Sequence, residues 1–360
     1  MPSEPTAAPS PKTVALAGRL VGDGQPALVV GELSCNHGGS LEIAERTIRA
    51  MKDAGVDCVK LQTSRPDTIT LDCRKPPFIV KGGTLWDGRT LHDLYQETYT
   101  PWEWHAGLKQ LAESLGMLFL SSPFDLEAVD FLDALGVCAF KIASFEITDH
   151  ALIARAAAKG KPVIISTGVA GEEDIADAIA VCRAAGNDQV IVTKCVSAYP
   201  TPLSSMNLRS LPDIRRRFDV LVGLSDHSMT PLVPCAAVST GACLIEKHFI
   251  LDRALGGPDA AFSLTPSEWR EMVDNVRQTE AALGQGGLAA TPQAQAGRKF
   301  SRSLFVAQDV KRGEVFTAVN IRSVRPGDGL HPRHLSEVLG KRAVRDVERG
   351  TPLDWSLLHE

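Results

Sequence analysis

Eight short apolar runs in this chain each end in a polar or ionisable residue. In order, those ends carry Glu32; Lys60 with Gln62; Ser122; Lys141 with Ser144; Ser166; Lys194 with Ser197; Ser225 with His227; and Glu246 with His248. Lysine and histidine inside apolar runs are poor loop-exit residues, a role that Gly, Asn and Asp fill better. A buried ammonium group is costly without an anion. Lys60, Lys141 and Lys194 therefore require carboxylates, such as Glu32, Glu146, Asp226 and Glu246, or an anionic ligand. Together with Ser144, Ser166 and Ser197 they make a phosphate cradle. A desolvated lysine could instead form a Schiff base, as in a metal-free aldolase. His227 and His248 close consecutive runs, so two imidazoles on neighbouring strand ends could share a metal. With Asp226 and Glu246 beside them, the mixed N/O set suits Mn²⁺ or Mg²⁺ better than structural Zn²⁺. Two separately hydrogen-bonded histidines fit the same pattern.

The runs that must position these residues are ALVVGEL (27–33), CVKLQ (58–62), MLFLSS (117–122), CAFKIAS (138–144), PVIISTG (162–168), VIVTKC (190–195), VLVGLSD (220–226) and CLIEKHF (243–249). Apolar on both parities up to their polar ends, they read as strands buried on both faces of a parallel sheet. Between them lie helical stretches such as SLEIAERTIRAMKDAGV and EEDIADAIAVCRAAG, several of which stop at Gly. Eight strand–helix units predict an α/β fold, a (β/α)8 barrel over residues 26–282, with the polar strand ends converging on one mouth. An insertion from about Pro66 to His105 holds LWDG, LYQETY and PWEWH; at a barrel mouth it would shape a substrate pocket. Residues 1–25 read as a flexible tail and 283–297, rich in Gly, Ala and Gln, as a linker. Residues 298–360 repeat DVKRG (309–313) as DVERG (346–350), which predicts a small β-rich domain.

Composition narrows the function classes. The 360 residues are 44% hydrophobic and 22% charged, with a net charge of -5, which describes a globular chain rather than a disordered or fibrous one. No apolar stretch is long enough to span a membrane. Residues 298–360 hold 12 Lys and Arg against 8 Asp and Glu, too slight an excess for a nucleic-acid partner. Eight cysteines without paired spacing suit a reducing cytoplasm.

The ordered segments GELSCNHGGSLEIA, VKLQT, SSPFD, FKIASFEI, IISTG, TKCVSAYPTP, VGLSDHS, IEKHFILDR and GGPDAAFSLTP resemble the sialic acid synthase family. The segments SRSLFVAQDVKRGEVF, RPGDGL and LGKRAVRDVERGTPL resemble that family's C-terminal antifreeze-like (SAF, β-clip) domain. The resemblance implies condensation of phosphoenolpyruvate with an amino-sugar aldehyde. It implies a divalent metal (Mn²⁺ or Mg²⁺, alternatively Co²⁺) on His227 and His248. Lys60, Lys141, Ser144, Ser166, Ser197, Ser225 and Ser122 would bind phosphoenolpyruvate. Gln62, Tyr199 and Asp259 would surround the sugar, and Glu32 or Glu146 would relay a proton, with Lys60 assisting catalysis. Arg325 would reach the sugar from the SAF domain of a partner chain, in a domain-swapped homodimer. LWDG, PWEWH and ASFEI resemble the branch of the family that uses a 2,4-diacetamido-2,4,6-trideoxy-altrose. Enzymes using the neuraminate or legionaminate precursors are the alternatives within the family, and a non-catalytic sugar-binding protein is the alternative outside it.

Overall fold

A computed structural model describes residues 12–81, 83, 86–284 and 286–359. The chain divides after residue 285 into two compact units. The first begins with an antiparallel hairpin, β1 (Thr13–Leu16) and β2 (Arg19–Gly22). Eight parallel strands follow: β3 (Leu28–Glu32), β4 (Cys58–Thr63), β5 (Leu118–Pro123), β6 (Phe140–Ile142), β7 (Val163–Ser166), β8 (Val190–Lys194), β9 (Leu221–Asp226) and β10 (Leu244–His248). β10 pairs with β3 and closes the barrel.

Helices between the strands are delimited by local chemistry. Ser40 caps Leu41–Asp53 and Asp125 caps Leu126–Leu135, which ends on the left-handed Gly136. Thr265 and Glu268 form a capping box at the start of Pro266–Leu283. Outward strand residues such as Val59, Phe119, Ile165 and Val222 pack under these helices in one large core. Inward residues form a second, with Leu28, Leu221 and Leu244 at the amino ends of their strands. Above that layer charge enters the barrel interior, at Glu32, Lys60, Lys141 and Glu246.

The hairpin corrects the expectation of a tail reaching residue 25. Val14, Leu16 and Val21 are buried and join the inward core, closing the end of the barrel opposite the mouth. Of the expected tail, residues 1–11 lie outside the described residues, as does Gln285 of the expected linker. That linker is also more structured than expected, with Pro292–Gly297 helical. In the second unit the two repeats grip each other. Val310 and Val347 exchange backbone hydrogen bonds of 2.9 and 2.8 Å. The Asp309 carboxylate accepts from the Arg349 N–H at 2.8 Å, and Asp346 accepts from the Arg312 N–H at 2.9 Å. Around them Leu304, Phe316, Ile321, Val338 and Leu353 form a core belonging to this unit.

Candidate active site

The phase of the strand alternation decides which polar residues meet. Glu32, Lys60, Lys141, Ser166, Ser225, Glu246 and His248 share the inward parity of Leu28, Cys58, Ile164, Leu221 and Leu244. At the centre, Lys60 Nζ lies 2.9 Å from Glu32 Oε2 and 2.8 Å from Glu246 Oε1. The same Glu246 oxygen accepts from Lys141 Nζ at 2.7 Å and from Ser225 Oγ at 3.1 Å. Burial alone would push both carboxyls up, but Lys60, Lys141 and, for Glu32, His248 outweigh it, and both stay below the usual carboxylate range. Lys60 is opposed by burial yet pushed up by its two glutamates. Lys141 is lowered, by burial and then by the neighbouring Lys60 charge, with Glu246 opposing. Glu246 Oε2 has no hydrogen-bond partner among the described residues.

His227 and His248 stand side by side at the mouth, ring centroids 5.3 Å apart, with Phe262 edge-on to both. Burial, and then the nearby His248, lowers His227 to about 3, so its imidazole is neutral. His248 is raised: burial opposes this, but Glu32 and Asp259 prevail. Glu32 Oε2 lies 3.3 Å from His248 Nε2 and Asp259 Oδ2 lies 3.3 Å from Nδ1, both within ion-pair distance, although Nδ1 makes no aligned hydrogen bond among the described residues. Trp269 fixes this strand end by donating from Nε1 to the His248 carbonyl at 3.0 Å. No cluster of three or more His, Cys, Asp or Glu with metal-site geometry is formed among the described residues. Two adjacent imidazoles with the carboxylates of Glu32 and Asp259 beside them nonetheless fit a divalent ion whose remaining ligands are substrate or water oxygens.

Next to this centre the β7 exit loop supplies a hydroxyl cradle. Gly168 N donates to Ser144 Oγ at 3.0 Å, and Ser197 N donates to Gly168 O at 3.4 Å. Ser197 Oγ and Ser122 Oγ are buried with no hydrogen-bond partner among the described residues, so both could accept or donate to a bound anion. Ser166 and Ser225 are engaged internally, with Thr193 and Glu246.

A cavity of about 480 Å³ opens beside these groups. Its lining includes Gln62, Ser144, Glu146, Tyr199, His248 and Asp259, all anticipated from sequence, together with Val80, Trp86, Leu91, Leu94 and Tyr95 of the insertion. Trp86 therefore reaches the pocket, whereas Trp102 stacks on Phe131 and Trp104 packs edge-on to His37. Burial, and then the charge of Asp149, raises Glu146 to about 7.

Two anticipated residues point elsewhere. Lys194 shares the outward parity of Val190 and Val192 and lines an outer cleft with Ile175 and Ile214. Asp226 also faces outward, 2.8 Å from Lys247, and is not beside the histidines. Arg325 lies in the second unit. Ser34 and Gly168 had not been singled out. Ser34, held at φ +48°, donates to Asp259 at 2.5 Å and accepts from Gln62 at 3.2 Å. Its only sequence signal was its place just past the first strand.

A parallel eight-stranded barrel with paired lysines, glutamates and histidines at its mouth, followed by a β-rich domain, defines a class of two-domain synthase barrels. The chain belongs to the NeuB family, whose model matches residues 47–287, and a SAF domain matches residues 301–359. It is 46% identical to a pseudaminic acid synthase of Campylobacter jejuni, covering 91% of this chain and 95% of the relative. It is 43% identical to the pseudaminic acid synthase of Helicobacter pylori, covering 91% and 97%. An N,N'-diacetyllegionaminic acid synthase of Legionella pneumophila is more distant, at 33% identity over 93% and 95%. Among solved structures, the spore coat polysaccharide biosynthesis protein SpsE of Bacillus subtilis aligns with a TM-score of 0.67 at 34% identity, covering 97% of this chain and 99% of that one. No described helix is long and apolar enough to cross a membrane.

Proposed function

We propose that the protein acts as a pseudaminic acid synthase, condensing phosphoenolpyruvate with 2,4-diacetamido-2,4,6-trideoxy-L-altrose to give pseudaminic acid and phosphate. The observation that carries this reading is the mixed lining of the cavity, in which Gln62, Ser144, Glu146, Tyr199, His248 and Asp259 meet Val80, Trp86, Leu91 and Leu94 of the insertion. The hydroxyl cradle of Ser144, Gly168 and Ser197, with Ser122, suits the phosphate, and Lys60 and Lys141 suit the charges of phosphoenolpyruvate. The apolar lining around Trp86 suits a sugar that carries a methyl and a second acetamido group where N-acetylmannosamine carries hydroxyls.

In the reaction, C3 of phosphoenolpyruvate bonds to the aldehyde carbon while water oxygen bonds to C2. The C2–O bond of the resulting hemiketal phosphate then breaks and inorganic phosphate leaves. Lys60 and Lys141 stabilise the departing charge. Glu32, held ionised by Lys60, stores no proton near neutral pH, whereas Glu146 can exchange one and is the relay. His227 and His248 would hold a divalent cation, which when bound supplies Lewis acidity at the aldehyde oxygen. Gln62, Tyr199 and Asp259 orient the sugar.

The apolar side chains Phe145, Val169, Leu203, Met229, Leu232 and Leu255 are exposed on the segments that follow β6 to β10. Such a rim supports a covering partner, and we assign that role to the C-terminal domain of a second chain, carrying Arg325, in a domain-swapped dimer. Eight free cysteines and use of phosphoenolpyruvate fit a cytoplasmic enzyme. The test measures phosphate release with the diacetamido altrose, the legionaminic precursor and N-acetylmannosamine. The altrose compound should give the highest kcat/KM. A tenfold preference for N-acetylmannosamine would remove the sugar assignment and leave the chemistry standing.

A further inference from the structure

Outward residues of β9 and β10 are apolar (Val222, Leu224 and Ile245) until the last pair, Asp226 and Lys247. These two are register partners on neighbouring strands, and each immediately precedes one of the mouth histidines. Their side chains are 0% exposed, and Lys247 Nζ lies 2.8 Å from Asp226 Oδ2. Lys247 also donates to the Ser228 carbonyl. Ser228 in turn donates to both Asp226 oxygens, from N at 2.8 Å and from Oγ at 3.1 Å. The chain on either side of His227 is thereby tied together and to the residue before His248.

A buried ion pair seldom stabilises a fold more than well-packed apolar residues of the same size would. In a position otherwise lined by Val, Leu and Ile, an apolar pair would serve the core equally well. Directional bonds add something an apolar pair lacks: they fix the angle at which two strand ends leave the sheet. We propose that the Lys247–Asp226–Ser228 network is a positioning device that sets the mutual orientation of the His227 and His248 rings. The inference rests on the reading of those histidines as metal ligands for its functional consequence, but not for its geometry.

The test replaces both partners, Asp226→Leu with Lys247→Met, in the full-length chain, and compares it with Ser228→Ala, which keeps the ion pair and removes one tie. Three quantities are read: Mn²⁺ affinity of the metal-stripped protein by calorimetry, the ring signals of the two histidines by NMR, and kcat against the KM for phosphoenolpyruvate. Outer residues that orient metal ligands typically carry about 10- to 100-fold in affinity or activity. The double variant should melt close to the wild type, lose Mn²⁺ affinity and kcat to that extent, shift both histidine signals, and keep its KM. Ser228→Ala should show the same pattern, weaker, and it decides the matter if the double variant does not fold. Unshifted ring signals with unchanged Mn²⁺ affinity in a folded variant overturn the inference. Wild-type Mn²⁺ affinity in His227→Ala and His248→Ala would overturn the metal reading instead, with the ring signals still deciding the positioning role.

Discussion

A carboxyl group buried at a reaction cavity without a cation to hold its charge moves toward neutrality, and Glu146 does so while Glu32 does not. Glu32 is the more deeply buried of the two but lies beside Lys60. Glu146 has no ion pair among the described residues, and burial raises it from 4.5 to about 7. The folded protein therefore holds more protons than the unfolded one between those values, so this group's contribution makes stability fall as pH rises through that window. Glu146→Gln should be more stable than the wild type at pH 8, by up to about 3 kcal/mol, and melt at a higher temperature, whereas the two should melt together at pH 4. Its kcat/KM should fall about 10²- to 10⁴-fold and lose any limb near pH 7. Equal melting at pH 8 would show that the carboxyl is not held near neutrality by burial. Gly168 tests the neighbouring cradle. Its φ is not positive, so alanine is permitted by the backbone, but the added Cβ would stand 2.6 Å from Ser144 Oγ and closer still to Ser197 Oγ. Gly168→Ala should fold and raise the KM for phosphoenolpyruvate at least about tenfold, since small displacements at a binding site are costly. An unchanged KM would place the phosphate elsewhere.

At the level of elements, what the sequence discloses follows from how strands are buried. Each barrel strand is covered on both faces, so it stands out as an apolar run, and the inward lysines stand out against it. The same coverage hides the phase. In VIVTKC, Val190 and Val192 on one parity and Ile191 and Thr193 on the other are all β-branched, so the run does not plainly distinguish an inward lysine from an outward one, and Lys194 proved to be outward. Asp226 failed for the same reason. The hairpin was obscured differently: its strands have four residues each and follow a Pro- and Ser-rich opening, although Leu16 is completely buried. Because β1 and β2 cover the end away from the mouth, they bear on stability and not on chemistry. Leu16→Ala should cost about 2–5 kcal/mol and lower the melting temperature while kcat and both KM values hold. A change in KM without loss of stability would contradict that placement.

At the scale of the molecule, each of the two units has its own core, so the second need not be there to hold the barrel together. Its contribution should then appear in turnover, and the open question is which barrel each domain serves. Complementation between two inactive proteins answers it. On the proposed reading, Arg325→Ala should leave the barrel intact and remove the contribution of the C-terminal domain, and His248→Ala should do the reverse. If a domain completes the partner's site, a mixed dimer joins one sound barrel to one sound domain and regains one active site of two. Half of the dimers in a randomly re-associated equal mixture are mixed, so about a quarter of wild-type activity should return. If each domain serves its own barrel, every site in the mixture keeps one defect and activity stays at the level of the single variants. Each variant alone should still bind phosphoenolpyruvate, because Lys60, Lys141 and the hydroxyl cradle are untouched in both. The recovered fraction should follow the proportion of mixed dimers as the mixing ratio is varied, a dependence that slow refolding of either variant would not produce.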